Sequence, residues 1–371
     1  MPGGKLEFPQ AIGRLLGRFA PRADGLIGVD ISATAVKMVE IGRVGRTLQL
    51  ERYVIEPLPR DAVSEGNIND VDAVADTLRR ARAKLASPSR RVALALPTTM
   101  AIYKKILIPA TQDRNDLEFQ VESEAGQYIP FPLDEVNLDF QVLGPSATQA
   151  DDLDVLICAS RKEKVEERVA VAEMAGFEVA VMDVEAFAML TAFEQLQQQL
   201  PDQGFNQTFA LFDIGATKIH CSVVRNGQQL YFREQAFGGM QLTREVQRRY
   251  GLTQEEAEKG KRSMLLPEGY ESELLQPFVD SLAQEIQRAL QFFYTTVSVS
   301  QYLRVDYILL AGGSSMLTGL DDAVALRTQI STMIANPFTS MTQAPGIALR
   351  ELLLDAPSLL VASGLALRRF D

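Results

Sequence analysis

The string Asp-Ile-x-Ala-Thr stands twice in this chain, at Asp30–Thr34 and at Asp213–Thr217. Each copy follows an apolar run, Leu26–Val29 in the first case and Phe209–Phe212 in the second. Each is followed by another apolar run, a turn and a further run. These are Val36–Ile41, Arg43–Arg46 and Leu48–Val54 after the first copy. After the second they are Ile219–Val224, Arg225–Gln228 and Leu230–Phe232. Asn226-Gly227 in the second turn is a strong hairpin signal, because both central residues of a type I′ turn need positive φ. The chain therefore carries two related units of strand, tight turn and hairpin. Its fold class is α/β with a duplicated core.

The repeated turn points to a ligand. Ser32, Ala33 and Thr34, and likewise Gly215, Ala216 and Thr217, are small enough for backbone N–H groups to approach an oxyanion, and the hydroxyls add donors. Asp30 and Asp213 each end a strand beside such a turn. A carboxylate repels a phosphate unless a hard cation lies between them, and Mg²⁺ suits that place because it combines a few carboxylates with phosphate oxygens. Lys37 and Lys218 follow the turns and add positive charge. A third glycine cluster, Gly312-Gly313-Ser314, follows the apolar strand Tyr307–Ala311, a passage that lets backbone come close to a ligand. A helix opens after Leu252 with the capping box Thr253-x-x-Glu256, and Glu258 and Lys261 share one of its faces. They form either a solvated ion pair or a pair of ribose contacts.

These segments together resemble the actin-like ATPase superfamily: Gly28-Val29-Asp30, Asp213–Thr217 and Ala311–Ser314. Within it the chain is similar to the PilM family of type IV pilus assembly, related to the division protein FtsA. The phrases that carry this are Glu65–Asp70, Gln127–Pro132, Asp183–Ala188, Gly238-Gly239 and Ala335–Phe338. The resemblance implies an actin-like fold, two duplicated half-domains around a nucleotide cleft with an FtsA-type inserted subdomain. It implies ATP in that cleft, Mg²⁺ near Asp30 and Asp213, and nucleotide contacts from Gly239, Glu258, Lys261 and Gly312–Ser314. It places Glu185 at the start of a helix where bacterial actins carry an acidic residue that orients water; the plain alternative is a helix N-terminal residue favoured by the dipole. Slow ATP turnover or none is expected. The family has Gly at the position of Ser32, which would be strained if its φ had to be positive.

Apolar periodicity places a helix from Val71 to Leu85, a buried strand at Val92–Leu96, and a block of about eighty residues that lacks any phosphate motif. That block holds strands at Ile102–Ile108, Val136–Leu143 and Val155–Ala159, a helix near Asp116–Gly126, and a second helix opened by Ser160-x-x-Glu163. A long helix is expected over Pro277–Phe293 and a last one over Ala356–Phe370, with Gly364 at a close packing point. The domain reading follows. Residues 1–24 form an amphipathic arm; 25–97 with 178–200 and 345–371 form the first half. Residues 98–177 form the inserted subdomain, and 201–344 the second half.

The net charge of −11 argues against a nucleic-acid partner. Two cysteines without a framework, Cys158 and Cys221, suit a reducing cytoplasm. The one histidine, His220, reads as a strand residue rather than a base. No apolar run reaches the length of a membrane span. Phe8, Ile12, Leu15, Leu16 and Phe19 share a helical face beside basic residues, which suits either a membrane surface or packing on the body. The resemblance implies a cytoplasmic adaptor at the periphery of the inner membrane. Its partners would be the N-terminal cytoplasmic peptide of PilN, docked between the first half and the inserted subdomain, with other platform proteins and assembly ATPases. A sugar-type kinase and a polymer-forming division-type actin are the alternatives. Walker A and G-x-G-x-x-G patterns are absent.

Overall fold

The computed structural model describes residues 25–110, 114–146, 149, 151–198, 200–297 and 303–370. The N-terminal arm expected from the sequence lies outside them. The chain divides into two compact units, one of residues up to Thr191 together with those from Val361 on, the other Ala192–Leu360.

In the first unit, β1 (Ile27–Ile31) is buried along its whole length. It pairs antiparallel with β2 (Ala35–Val44), which pairs with β3 (Thr47–Pro57). A short hairpin of β4 (Val63–Ser64) and β5 (Asn67–Ile68) precedes helix α1 (Val71–Leu85). The side chain of Asp70 accepts the Ala73 N–H at 2.9 Å and so caps α1, an interaction worth about 1 kcal/mol. Val74, Leu78, Ala81 and Leu85 make its buried face, as the periodicity predicts, and Ala86 ends it in a left-handed conformation. On the other side of β1, β6 (Arg91–Leu96) lies parallel.

The chain then leaves this sheet for a three-stranded one. Strand β7 (Ala101–Pro109), helix α2 (Arg114–Ala125), β8 (Val136–Pro145) and β9 (Asp152–Arg161) form it, with strand order β7-β9-β8. Ile106, Ile108, Val121, Ala125, Val155 and Ile157 fill a core of its own. Helix α3 (Lys162–Met174), β10 (Glu178–Val184) and α4 (Glu185–Gln197) return to the first sheet, where β10 lies parallel to β6.

One sequence expectation fails here. Ser160 does not cap α3. It stays in β9, opposite Ala101 on one side and Asn137 on the other, and its hydroxyl donates to Met100 O at 2.8 Å. The helix starts at Lys162 without a side-chain cap, because a two-sided strand ladder outweighs one capping bond.

The second unit repeats the first pattern. Strand β11 (Thr208–Ile214) pairs antiparallel with β12 (Ile219–Arg225), which pairs with β13 (Gln228–Gln235). Asn226 and Gly227 take φ of +47° and +75°, as the Asn-Gly turn requires. Helices α5 (Met240–Tyr250), α6 (Gln254–Ser263) and α7 (Gln276–Thr296) follow. Then β14 (Tyr307–Ala311) lies parallel to β11, and β15 (Ser331–Ile334) parallel to β14, with α8 (Leu320–Thr328) between them. Phe212, Val246, Leu282, Ile286, Phe293 and Leu310 lie in its core. Within each unit the first strand thus has an antiparallel hairpin on one side and a parallel strand on the other.

The last helical stretch runs without a gap from Leu349 to Phe370 but changes its winding along the way. Helix α9 (Leu349–Asp355) and a 3₁₀ turn precede α10 (Leu360–Leu367), and a second 3₁₀ turn ends at Phe370. Gly364 is a close packing point as expected: a Cβ there would stand 1.8 Å from Ala188 O. Arg368 closes this stretch on Asp183, 2.6 Å away and 1% exposed.

Candidate functional site

Both repeated turns close in the same way. Ser32 N donates to Ala35 O at 3.0 Å, and Gly215 N donates to Lys218 O at 2.9 Å. Among the described residues, the N–H groups of Ala33 and Thr34, and of Ala216 and Thr217, have no partner within the protein. Two successive free amides beside a carboxylate are what an anion with a metal needs. Ser32 is not in the left-handed region, so the strain expected of it does not arise. Its hydroxyl donates to Ala35 O at 2.9 Å, so it braces its own turn instead of adding a donor for a ligand. Gly215 is not left-handed either, and the two turns tolerate different residues at this position because neither demands a positive φ.

The two aspartates differ in their company. Asp30, 6% exposed, is opposite Lys37 in the β1–β2 register and bonded to it at 3.0 Å. The residue opposite Asp213 is His220, whose Nδ1 is 3.7 Å from the carboxylate. Each aspartate thus faces the residue seven positions on, Lys37 in the first unit and His220 in the second. Lys218 reaches elsewhere, to Glu234 at 2.7 Å, and His220 Nε2 lies 3.0 Å from the same carboxylate. Burial alone would raise the Glu234 carboxyl, but His220 and Lys218 outweigh it and hold the group down to about 2. Neither His220 nor Glu234 stands out as a site residue in the sequence alone. The matched spacing of seven after each aspartate is the signal that finds His220.

Three glycine segments interlock around the second turn. A Cβ on Gly238 would stand 2.5 Å from Ala216 O, and one on Gly239 2.2 Å from the Ser314 hydroxyl. Gly312, at φ +85°, leaves no room either: its Cβ would lie 2.4 Å from Ile214 O and 2.5 Å from Asp213 Oδ1. Gly239 N and Met240 N donate to the Gly215 and Ala216 carbonyls, and Ser314 donates through its N–H to Ile214 O and through its hydroxyl to Gly215 O. The carbonyls of the turn are thereby held by the protein, while the amides of Ala216 and Thr217 stay available. Gly313 has open space around it.

Helix α6 carries the next group. Thr253 and Glu256 form the reciprocal capping box read from the sequence. The Lys261 ammonium, with its side chain only 9% exposed, bonds Glu258 at 2.9 Å, Thr243 at 2.5 Å and Gly239 O at 3.3 Å. Thr243 also donates to Glu258. Burial lowers the Lys261 pKa, and Glu258 opposes that shift. This is a built polar cluster rather than a solvated surface pair. Thr243, from α5, had no mark in the sequence.

Glu185 is the first residue of α4, half-buried, and the next amide donates to the Thr98 hydroxyl at 3.2 Å. Arg168, 2% exposed, donates to Gly66 O at 2.7 Å. Burial lowers its pKa, and Glu185, Glu167 and Asp30 oppose that shift.

Among the described residues there is no group of three or more His, Cys, Asp and Glu that could hold a metal. Among the same residues no helix is long and apolar enough to cross a membrane.

A model of the family described as type IV pilus assembly protein PilM matches residues 28–370. A solved PilM–PilN type IV pilus biogenesis complex is similar at a TM-score of 0.77 and 28% identity, over 93% of this chain and 98% of the other. Ethanolamine utilization protein EutJ from Carboxydothermus hydrogenoformans is similar at a TM-score of 0.54 and 17% identity, over 94% and 91%. MreB 5 of Spiroplasma citri, bound to AMPPNP, is similar at 0.51 and 14%, over 93% and 95%. At these identities the last two speak to the fold alone. The fold is that of the actin-like ATPases.

Proposed function

We propose a role that starts from family membership: the chain belongs to the family of type IV pilus assembly protein PilM. It acts as an actin-like adaptor of the pilus assembly platform and binds the N-terminal cytoplasmic tail of PilN. The likeness to a PilM–PilN complex along almost the whole of both chains is the observation that carries this reading. The place of action is the cytoplasmic side of the inner membrane, with other platform proteins and assembly ATPases as further partners. Neither a sugar-type kinase nor a polymer-forming actin is favoured by these likenesses.

The adaptor binds ATP with Mg²⁺. In support, each unit offers two free amides in a tight turn beside an aspartate, and the second adds the glycine cluster and the Glu258–Lys261 pair. Ala33 and Thr34 in one turn, and Ala216 and Thr217 in the other, hold phosphate oxygens. Lys37 and Lys218 supply nearby charge. Asp30 and Asp213 would hold the cation, which would neutralise phosphate charge there. Glu258, Lys261 and Gly312–Ser314 hold the nucleoside, with Gly239 as their backbone support. Bound nucleotide supplies the phosphate oxygens that complete the Mg²⁺ shell. Glu185 orients the attacking water in any hydrolysis, and ATP turnover is slow or absent. The PilN tail docks in the first unit, where the three-stranded subdomain meets the larger sheet. Tyr103 from β7 stacks edge-on against Phe187 there, with ring centroids 5.1 Å apart.

Calorimetric titration with the N-terminal cytoplasmic peptide of PilN from the same organism, with and without Mg-ATP, tests the reading. Saturable binding is expected, with an affinity that changes on adding nucleotide. No heat of binding in either condition would overturn the adaptor role.

A further inference from the structure

The Lys261 ammonium has three protons, and three acceptors stand within its reach: the Thr243 hydroxyl at 2.5 Å, Glu258 at 2.9 Å and Gly239 O at 3.3 Å. Glu258 and Lys261 belong to α6, Thr243 to α5, and Gly239 caps α5 at its N-terminus. Thr243 is the point at which the two helices meet in this cluster, and it is fully buried.

Its hydroxyl has a single proton and two acceptors, Gly239 O at 3.0 Å and the Glu258 carboxylate. The first is the ordinary back-bond of a threonine to the carbonyl four residues earlier. The second is to an ionised group, and a charged acceptor makes the stronger bond. The proton therefore goes to Glu258, and Lys261 satisfies Gly239 O. The same Glu258 oxygen, Oε1, takes Thr243 and Lys261 together. Lys261 lies three residues on along the same helix, a pairing that exposed helix surfaces also form and that leaves a carboxylate free to turn. Thr243 reaches that oxygen from the neighbouring helix and so fixes how the carboxylate lies. The Glu258 side chain is still 43% exposed, so a carboxylate held from inside is presented outward. An ionised carboxylate only accepts hydrogen bonds, and the groups it reads on a nucleoside are hydroxyl donors such as the ribose pair.

We propose that Thr243 is a positioning residue for ribose recognition: its hydroxyl, reaching across from α5, sets the Glu258 carboxylate in the orientation that accepts the ribose hydroxyls. This rests on the nucleotide reading above and adds to it a buried, uncharged residue that acts only through Glu258. Valine has nearly the same shape without the hydroxyl, and it would leave Glu258 to Lys261 alone. Serine keeps the hydroxyl without the methyl, and it would keep the bond.

The test is calorimetry on the full chain with two ligands, Mg-ATP and Mg-2′,3′-dideoxy-ATP, which keeps the base and phosphates but lacks both ribose hydroxyls. Wild type should prefer ATP by about tenfold or more. Thr243→Val should bind ATP about threefold to tenfold more weakly and dideoxy-ATP as wild type does. Thr243→Ser should bind both within about twofold of wild type. Unchanged ATP affinity in Thr243→Val overturns the proposal. So does an equal loss for the two ligands, since a threonine that only stabilises the fold would weaken both alike. A tenfold loss for ATP in Thr243→Ser overturns it as well, because the hydroxyl is still there. A wild type that binds both ligands equally overturns it without any variant. If wild type binds neither ligand, the nucleotide reading itself falls and the proposal falls with it.

Discussion

The two Asp-Ile-x-Ala-Thr turns have one backbone and two chemistries. Both close on the third residue ahead, both leave the same two amides free, and both sit between a hairpin and a parallel strand. Yet Asp30 is locked to a lysine, while Asp213 faces a histidine that leans on Glu234. The first turn stands free of close glycine packing; the second is wedged among Gly238, Gly239 and Gly312. A duplicated backbone thus preserves the place where an anion can sit, while side-chain differences decide how charge is supplied there. The first unit brings a fixed cation, and the second brings an aspartate whose partner carries charge only when protonated.

The sharpest way to break this contrast is to add one carbon to the second turn's wedge. Gly312→Ala must fit a Cβ where Ile214 O and Asp213 Oδ1 stand, in a backbone conformation that L residues avoid. It should cost about 3 kcal/mol or more, seen as a large drop in the denaturation midpoint. Gly215→Ser, which writes the first turn's residue into the second, should cost under about 1 kcal/mol, because φ there is ordinary. Similar losses in both variants would mean that the glycines act as a set and the turns are not equivalent.

Next in size is the aspartate pair. Asp30→Ala removes the buried carboxylate that faces the Lys37 ammonium, whose side chain is 16% exposed, and should destabilise the protein by about 2–3 kcal/mol. Asp213→Ala should cost about 1 kcal/mol but abolish more Mg-ATP affinity than Ser32→Ala does, since Ser32 only braces its own turn. Calorimetry and chemical denaturation on the three variants separate these effects. Equal Mg-ATP affinity in Asp213→Ala and wild type would remove the metal-orienting role.

A smaller effect should appear in acid. Glu234 has a carboxyl near 2 in the folded chain against an ordinary 4.5, so its contribution to stability is complete above 4.5 and drains away as pH falls toward 2. Glu234→Gln should therefore flatten the loss of stability in that window and leave the first unit's turn untouched. The smallest effect belongs to Ser32→Gly, which should leave nucleotide affinity within about twofold and stability within about 1 kcal/mol. A tenfold loss of affinity there would show that the hydroxyl meets the ligand after all.

Much of this was legible in the chain because it is local or repeated. The twin strings, the Asn-Gly turn, the capped helix at Thr253 and the periodic face of α1 each follow from spacing and short-range sterics. The capping box at Ser160 misled because a strand ladder on both sides competes for the same residue, and only the register shows which wins. A single histidine in an apolar run, such as His220, reads as a strand residue, although its spacing from Asp213 matches that of Lys37 from Asp30.

What the sequence by itself determined is the duplicated α/β core and the positions of its turns, since strand alternation, small residues and paired spacing act over a few residues. Tertiary structure alone decided which charges meet. Lys218 goes to Glu234, and Lys261 to Thr243 and Glu258. These contacts join residues from separate elements, and strand register and helix packing choose among many partners that look alike along the chain.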